Sequence, residues 1–416
     1  MCVLKRARQN TIKTLISVFL IIIVLGIFVW GNLQFVSQNP GGNDFLVHWM
    51  GAKSFIEEGI SPYSDTVALR IQTMVYGRAA NPGEHELRVA YPLYSFFLFM
   101  PFGLIKNYDV ARALWMTLLE LGILFTVIIS LKLVNWRPGI LFIGLIITFS
   151  FFWYHGLRSL INGNAVILIM FCTTFSVYSI IHKQDELAGI AMALTMIKPQ
   201  VVFAILLFIV IWSIVNRRGK IAFWFFGSMA ILSLLAFFLL PDWPIQFLRE
   251  VMRYPDYNPA GTPAQALAEL LPGVGKQFGL GISIISGLVL IFEGWLGVRS
   301  RGIKFVWVCS LFLVLGQWLN VQTDPGNYIM MLPAIILVLG LVAERWSNRG
   351  TVMVIIFLFV FLIFPWFVFL RTVVYTYQPV QSPIMFFPVP VIILVLLYWV
   401  RWWAKNPIKH VLISTK

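Results

Sequence analysis

Residues 221–240 read IAFWFFGSMAILSLLAFFLL, twenty consecutive positions without a charge. Coiled as an α-helix rising 1.5 Å per residue, such a run is about 30 Å long, the hydrocarbon thickness of a bilayer. Its apolar side chains are continuous rather than alternating, which separates it from a barrel strand. Residues 15–30 and 352–370 have the same character. Across all 416 residues, 59% are hydrophobic, only 12% are charged, and mean hydropathy is +0.85. A water-soluble domain carries about 25% charged residues, so this chain lacks the polar surface to cover a soluble globule. The class predicted is all-α: a polytopic membrane helix bundle, one integral membrane domain over residues 1–416.

The net charge of +14 raises the question of nucleic acid, but the basic residues sit in short clusters between apolar runs. That is the positive-inside pattern of a membrane protein, and no nucleic-acid partner is expected. Cys172 and Cys309 fall inside apolar runs and Cys2 lies at the start, so there is no disulfide framework. Lys5, Arg6, Arg8 and Lys13 precede the first apolar run as in a signal peptide. No small-residue cleavage site follows, so a retained signal anchor is expected.

The first span is expected at 14–35, with the N-terminus cytoplasmic. A polar stretch follows from Ser37 to Ala90, and the whole first extracytoplasmic loop is set at 37–109. Later spans are expected at 139–154, 164–181, 221–240, 281–298, 304–321, 328–343, 351–370 and 384–400, with a second outer loop at 241–280. Residues 92–134 read either as a hairpin of two spans turning at Lys106, or as an interfacial helix followed by one span at 110–134. Residues 187–215 read as one long helix or as two short ones broken at Lys198-Pro199. Charge arbitrates. If 92–105 does not cross and 187–215 crosses twice, then Lys132/Arg137, Lys183, Arg217/Arg218/Lys220, Arg299/Arg301/Lys304, Arg345/Arg349 and Arg401/Lys405/Lys409/Lys416 all join the N-terminal cluster on the cytoplasmic face. Proline at 199 removes a backbone donor and favours the break. This gives about twelve spans, both termini cytoplasmic, in a cell membrane.

Four constellations carry chemistry. The first opens the outer loop: after Gly41-Gly42, Asn43 or Asp44 can cap a helix running to about Glu58 and ended by Gly59. Asp44 and His48 are one turn apart on one face, and Asp44 reads either as a general base beside an apolar wall or as the helix cap. The second, Tyr91-Pro92 through Pro101, is short and apolar with proline at both ends, suited to a helix lying in the outer leaflet. The third is Arg158, Asn162, Gly163 and Asn164. The fourth is Lys198-Pro199, where a lysine in an apolar stretch costs about 2.5–3.5 kcal/mol near the midplane unless an anion or the interface receives it. Glu120 and Glu293 are intramembrane acids, either functional or buried partners of groups on other spans. No metal-ligand spacing, P-loop or dinucleotide fingerprint occurs.

The order of these pieces resembles a known family. A single span precedes a loop that opens with Asp44-Phe45 and holds Gly59-Ile-Ser-Pro62-Tyr63. Then come Tyr91-Pro92-Leu93, Ala111-Arg-Ala-Leu-Trp115, a Gly163-Asn164 start to a span, and Ala188-Gly-Ile-Ala-Met-Ala-Leu-Thr-Met-Ile-Lys198-Pro199. This is similar to the glycosyltransferase C superfamily, and most closely to its family 87, over roughly residues 40–220, with later blocks at 259–271 and 324–337. The chain departs from it with Asn164 in place of a common glutamine and His48 in place of a common tyrosine.

The resemblance implies an inverting transfer of a sugar (a mannose-like hexose or a pentose) from a polyprenyl-phosphate donor to a lipid or glycan acceptor on the extracytoplasmic face. It places the catalytic acid on Asp44 and donor-phosphate contact on Lys198, to which charge adds Arg158. His48, Tyr63, Tyr91, Asn162 and Asn164 are the substrate-contact residues expected. Neither a metal nor another cofactor is expected. Partners are the bilayer, the lipid-linked donor and a glycan or glycolipid acceptor. The rival readings are a transporter or flippase of lipid-linked sugars, which would show matched broken helices in both halves, and an O-antigen-type polymerase.

Overall fold

The computed structural model describes residues 2–258, 261–375 and 379–406. Lys409, Lys416 and the block beginning at Pro259 lie partly or wholly outside them, as do the side chains of Cys2, Lys5, Arg6, Arg8 and Lys13. The described chain is helical almost throughout. In order come α1 (Cys2–Gln38), α2 (Asn43–Glu58), α3 (Asp65–Tyr76), α4 (Phe96–Gly103), α5 (Tyr108–Val134), α6 (Ile140–Phe152), α7 (Tyr154–Asn162), α8 (Val166–Ile181) and α9 (Asp185–Thr195). Next are α10 (Pro199–Val215), α11 (Lys220–Leu239), α12 (Trp243–Tyr257), α13 (Pro263–Leu270), α14 (Gly275–Gly297), α15 (Gly302–Leu315), α16 (Leu332–Thr372) and α17 (Pro388–Lys405). A two-residue hairpin, Val374–Tyr375 against Pro379–Val380, is antiparallel.

Six helical stretches are long and apolar enough to cross a membrane, and a seventh is added if α6 and α7, bent by 58°, form one span. The stretch containing α16 runs 48 residues from Pro325 to Thr372, but Ser347 breaks it with φ 47° and ψ −120°. The two spans expected at 328–343 and 351–370 are the helices on either side of that break. Four apolar helices are shorter: Leu93–Gly103, Val166–Ile181, Pro199–Val215 and Gly302–Trp318. At 1.5 Å per residue each is under about 27 Å, so length alone carries fewer crossings than the twelve expected from charge.

The core is built by α5, α8, α15 and the first half of α16. Residues 305–315 and 328–342 are buried without a break, because each faces protein on all sides. In contrast, α11 and α14 display rows of exposed phenylalanine, leucine and isoleucine, the surface that lipid covers. The two intramembrane acids have partners on other helices. Glu120 of α5 accepts from Asn32 Nδ2 at 2.9 Å and ties the peripheral α1 to the bundle. Glu293 of α14 takes two hydrogen bonds from Arg401 of α17, at 2.6 and 2.8 Å.

Candidate active site

Helix α2 does not begin as its sequence suggests. Neither Asn43 nor Asp44 is the cap: Gly42 occupies that position in the left-handed region, φ 76°, with no side-chain cap. A side chain at 42 would run into the Arg112 guanidinium and the Tyr108 hydroxyl, so glycine is required for conformation and space alike. Asp44 is thereby left in the first helical turn with its carboxylate free to turn away from the helix. The C-terminal end is as expected, with Gly59 at φ 67°.

Two residues of α5 set the position of Asp44. Arg112, 1% exposed, donates to Asn39 O at 2.8 Å and to Ile161 O at 3.0 Å. It therefore joins the approach to α2 to the end of α7. Trp115 donates to Gly163 O at 2.8 Å and stacks on Phe45 at 5.2 Å. Gly163 ends α7 at φ 69°, and the Asn164 that follows donates a hydrogen bond to the Asp44 carboxylate. Its own Oδ1 accepts from Val166 N at 3.0 Å, at the start of α8.

Lys198 reaches the same place from the break between α9 and α10. Proline at the first position of α10 and the three-residue gap after Thr195 stop the helix there. Tyr94 braces the break by donating to Met196 O at 2.9 Å. Lys198 Nζ donates to Asn327 Oδ1 at 3.0 Å and sits 5.7 Å from the Tyr91 ring centroid. Arg158 of α7 pairs with Asp324 at 3.5 Å. Asp324 also accepts from Gly326 N at 2.5 Å and from Gln381 Nε2 at 3.0 Å. One four-residue turn, Asp324-Pro-Gly-Asn327, thus holds Arg158 at one end and Lys198 at the other. Ser159 pins that turn to α7 by donating to Gly326 O at 2.7 Å.

Asp44, Tyr91, Arg158, Lys198, Tyr254 and Asp324 each have protein packed densely around them, yet each keeps accessible surface, the Asp324 side chain being 44% exposed. They line a recess rather than a sealed core. Its two acids are shifted in opposite directions. Burial pushes the Asp44 carboxyl above its ordinary 3.8, and Asp324 adds to this; Lys198, Arg158 and the Asn164 hydrogen bond only partly offset it. Burial also raises Asp324, but Arg158, the Gly326 N–H, Lys198 and Gln381 together outweigh it and hold the carboxyl below the usual value.

The remaining expected contacts sit behind this surface. His48 is 4% exposed, stacked on Phe99 at 4.3 Å and tilted against Tyr91 at 4.1 Å. Burial and the nearby Lys198 charge push its imidazole down to about 3, so it stays neutral. Tyr63 donates to Tyr91 O at 2.7 Å. Asn162 closes α7, and no hydrogen bond among the described residues ties its side chain to the recess. Asp324, Asn327, Gln381 and Tyr254 were not among the expected site residues. The sequence traces of the first two are a polar Asp-Pro-Gly-Asn opening an otherwise apolar run and the family-like block at 324–337 that it begins. Among the described residues no group of three or more His, Cys, Asp or Glu side chains is placed to hold a metal ion.

The model of glycosyltransferase family 87 matches residues 90–321. The chain belongs to that family. It is a glycosyltransferase, and its long apolar helices make it a multi-pass membrane protein. The matched segment contains Tyr91, Arg158, Asn162, Asn164 and Lys198, while Asp44, His48, Tyr63 and Asp324 lie outside it. No curated protein and no solved structure matches the chain.

Proposed function

We propose that this glycosyltransferase takes a sugar from a polyprenyl-phosphate donor and adds it to a glycan or glycolipid hydroxyl on the extracytoplasmic face, with inversion. The observation that carries the reading is the meeting of Asp44 with Lys198 and Arg158 in one recess of a membrane bundle. A donor of this kind keeps its polyprenyl tail in lipid and presents a phosphate as leaving group. In the transfer, the acceptor oxygen bonds to the anomeric carbon as the bond from that carbon to the phosphate oxygen breaks. The electron pair leaves on the phosphate, where Lys198 and Arg158 stabilise the growing negative charge. The hydroxyl proton passes to Asp44, whose raised basicity suits it as general base.

Asp324 is a poorer base. It is held anionic by four donors or cations, and its part is to position Arg158. His48 is neutral and packs behind Tyr91, supporting a wall against which the sugar rests. The chemistry requires no metal, since no nucleotide diphosphate leaves. The topology that goes with this reading has about twelve crossings, with α4 lying in the outer leaflet and α9 and α10 as short limbs meeting at Lys198. The sugar is a mannose-like hexose or a pentose.

The test is transfer by the purified protein with a panel of polyprenyl-phosphate sugars, comparing wild type with Asp44→Asn. Transfer by wild type alone is the expected result. Equal transfer by both removes Asp44 from the mechanism. No transfer from any donor, with translocation of lipid-linked sugar in liposomes, overturns the reading in favour of a flippase.

A further inference from the structure

Helix α12 has three faces: one packs on the protein, one is apolar and exposed, and one is charged, where Arg253 pairs with Glu86 at 2.7 Å. At about 100° per residue, Trp243, Glu250 and Tyr257 fall on one flank, and they are 8%, 3% and 8% exposed. This flank roofs the recess. Trp243 meets Tyr94 at 5.8 Å, Glu250 pairs with Arg88 at 2.7 Å, and Tyr254 and Tyr257 lie against His85. The second flank carries Ile245, Leu248, Val251 and Met252, exposed by 67%, 55%, 41% and 66%. The third carries Arg249, Arg253 and Asp256, all exposed. A helix buried in protein needs one apolar flank, and a helix in water needs no second one. A helix lying along a membrane surface against a protein needs these three, side by side: protein, lipid, water.

The surroundings name the occupant of the second flank. Helix α11, long and apolar enough to cross, ends at Leu239 only three residues before α12 starts. Its last turn exposes Phe237, Phe238 and Leu239 by 48%, 73% and 44%, so the lipid-facing belt runs directly toward Ile245. On the far side α14, again long enough to cross, returns the chain with Phe278 62% exposed. The start of α12 is therefore tethered at the level where the belt stops. Arg249, at the border of the apolar and charged flanks, is placed to meet lipid phosphate.

We propose that α12 lies in the bilayer leaflet on the side of the Asp44 recess, with Ile245, Leu248, Val251 and Met252 among acyl chains and Arg249 at the phosphates. The roof of the recess is then itself seated in lipid. A lipid-linked substrate meets that roof without leaving the membrane, whereas a water-exposed roof would demand that it be lifted out.

The test is site-directed spin labelling in nanodiscs of phosphatidylethanolamine and phosphatidylglycerol, on a background with Cys2, Cys172 and Cys309 replaced by alanine. Labels are placed by Leu248→Cys, Met252→Cys, Arg249→Cys and Asp256→Cys, one at a time. Collision with oxygen relative to an aqueous nickel chelate is expected to be at least about threefold higher at 248 and 252 than at 249 and 256. Equal aqueous access at all four positions overturns the proposal. So does immobilisation of the labels at 248 and 252 with protection from both quenchers, because that places a second copy or another protein on the flank. The measurement needs no donor and no turnover, so its outcome is independent of the transfer assay.

Discussion

Replacing Glu250 by glutamine tests the energetic basis of the roof. Glu250 makes two contacts with Arg88, Oε2 to Nε at 2.7 Å and Oε1 to Nη2 at 3.3 Å, and the two side chains are only 4% and 7% exposed. Removing one charge of a buried pair costs about 3–5 kcal/mol, because the other is left uncompensated in a poorly solvated place. Here Arg88 keeps Asp65 at 2.5 Å and Glu86 at 3.7 Å, and glutamine retains one acceptor, so a loss of about 2 kcal/mol is expected. An internal control is Glu58→Gln against Arg70, a still shorter pair at 2.5 Å but 43% and 36% exposed. Water screens that pair, and its loss is expected to cost clearly less than loss of the buried one. The double variant Arg88→Met, Glu250→Leu removes both charges at similar volume and should recover most of the Glu250→Gln loss. Reversible unfolding in mixed detergent micelles measures all three. If Glu250→Gln costs no more than Glu58→Gln, burial is not what gives this pair its strength and the clamp between Arg88 and α12 is misread.

Asp44→Asn is expected to lower transfer by at least about 100-fold. It should leave stability at neutral pH unchanged or higher. Because the folded protein raises this carboxyl above 3.8, its ionisation opposes folding as pH climbs through the raised value, and asparagine has no such penalty; parallel transfer and unfolding assays check both parts. The acid limb of kcat/KM should lie above the 3.8 of a free aspartate, with activity falling as pH drops and Asp44 takes its proton. Asp324→Asn removes a group that raises Asp44, so that limb should move to lower pH, as a pH–rate profile would show. Lys198→Met should reduce kcat/KM for the donor about 100-fold, with Asn327→Ala producing a smaller loss in the same assay. Gly163→Ala forces a side chain into φ 69° with its Cβ 2.6 Å from that of Phe45, and should cost at least about 1 kcal/mol and displace Asp44, seen as joint loss of stability and transfer.

Much of the bundle was legible because lipid imposes a simple rule: long apolar runs must be helices. The break at Lys198-Pro199 was legible for a local reason, since proline cannot donate and a lysine there needs a partner. The break at Ser347 falls between the runs expected at 328–343 and 351–370, and was legible from the charges of Arg345 and Arg349 rather than from a proline or glycine. Reading Asn43 or Asp44 as a cap failed because Gly42, free to adopt positive φ, takes the cap position one residue earlier. Asp324 escaped for a different reason. Its partner Arg158 lies 166 positions away, and no local pattern encodes which helices of a bundle meet. An acid opening an apolar run reads as an ordinary span boundary until the packing of α7 against the Pro325–Met331 turn is known.

The position of the recess follows from the same rule that makes the rest of the fold uniform. Irregular backbone at membrane depth leaves N–H and C=O groups without partners, and is tolerated only where protein or a polar cavity receives them. Among the described residues three such irregularities meet at the recess: the bend between α6 and α7, the break between α9 and α10, and the turn at Asp324–Asn327 before α16. Each costs helix hydrogen bonds, and each delivers one charged side chain, Arg158, Lys198 and Asp324 in turn. Ser159 to Gly326, Lys198 to Asn327 and Arg158 to Asp324 show that the three satisfy one another rather than three separate environments. A bundle evolved only for stability would have no reason to interrupt three helices at one place. The interruptions make sense if that place must hold a charged group that comes and goes, and the first turn of α2, delivered by Gly42, sets Asp44 directly against it.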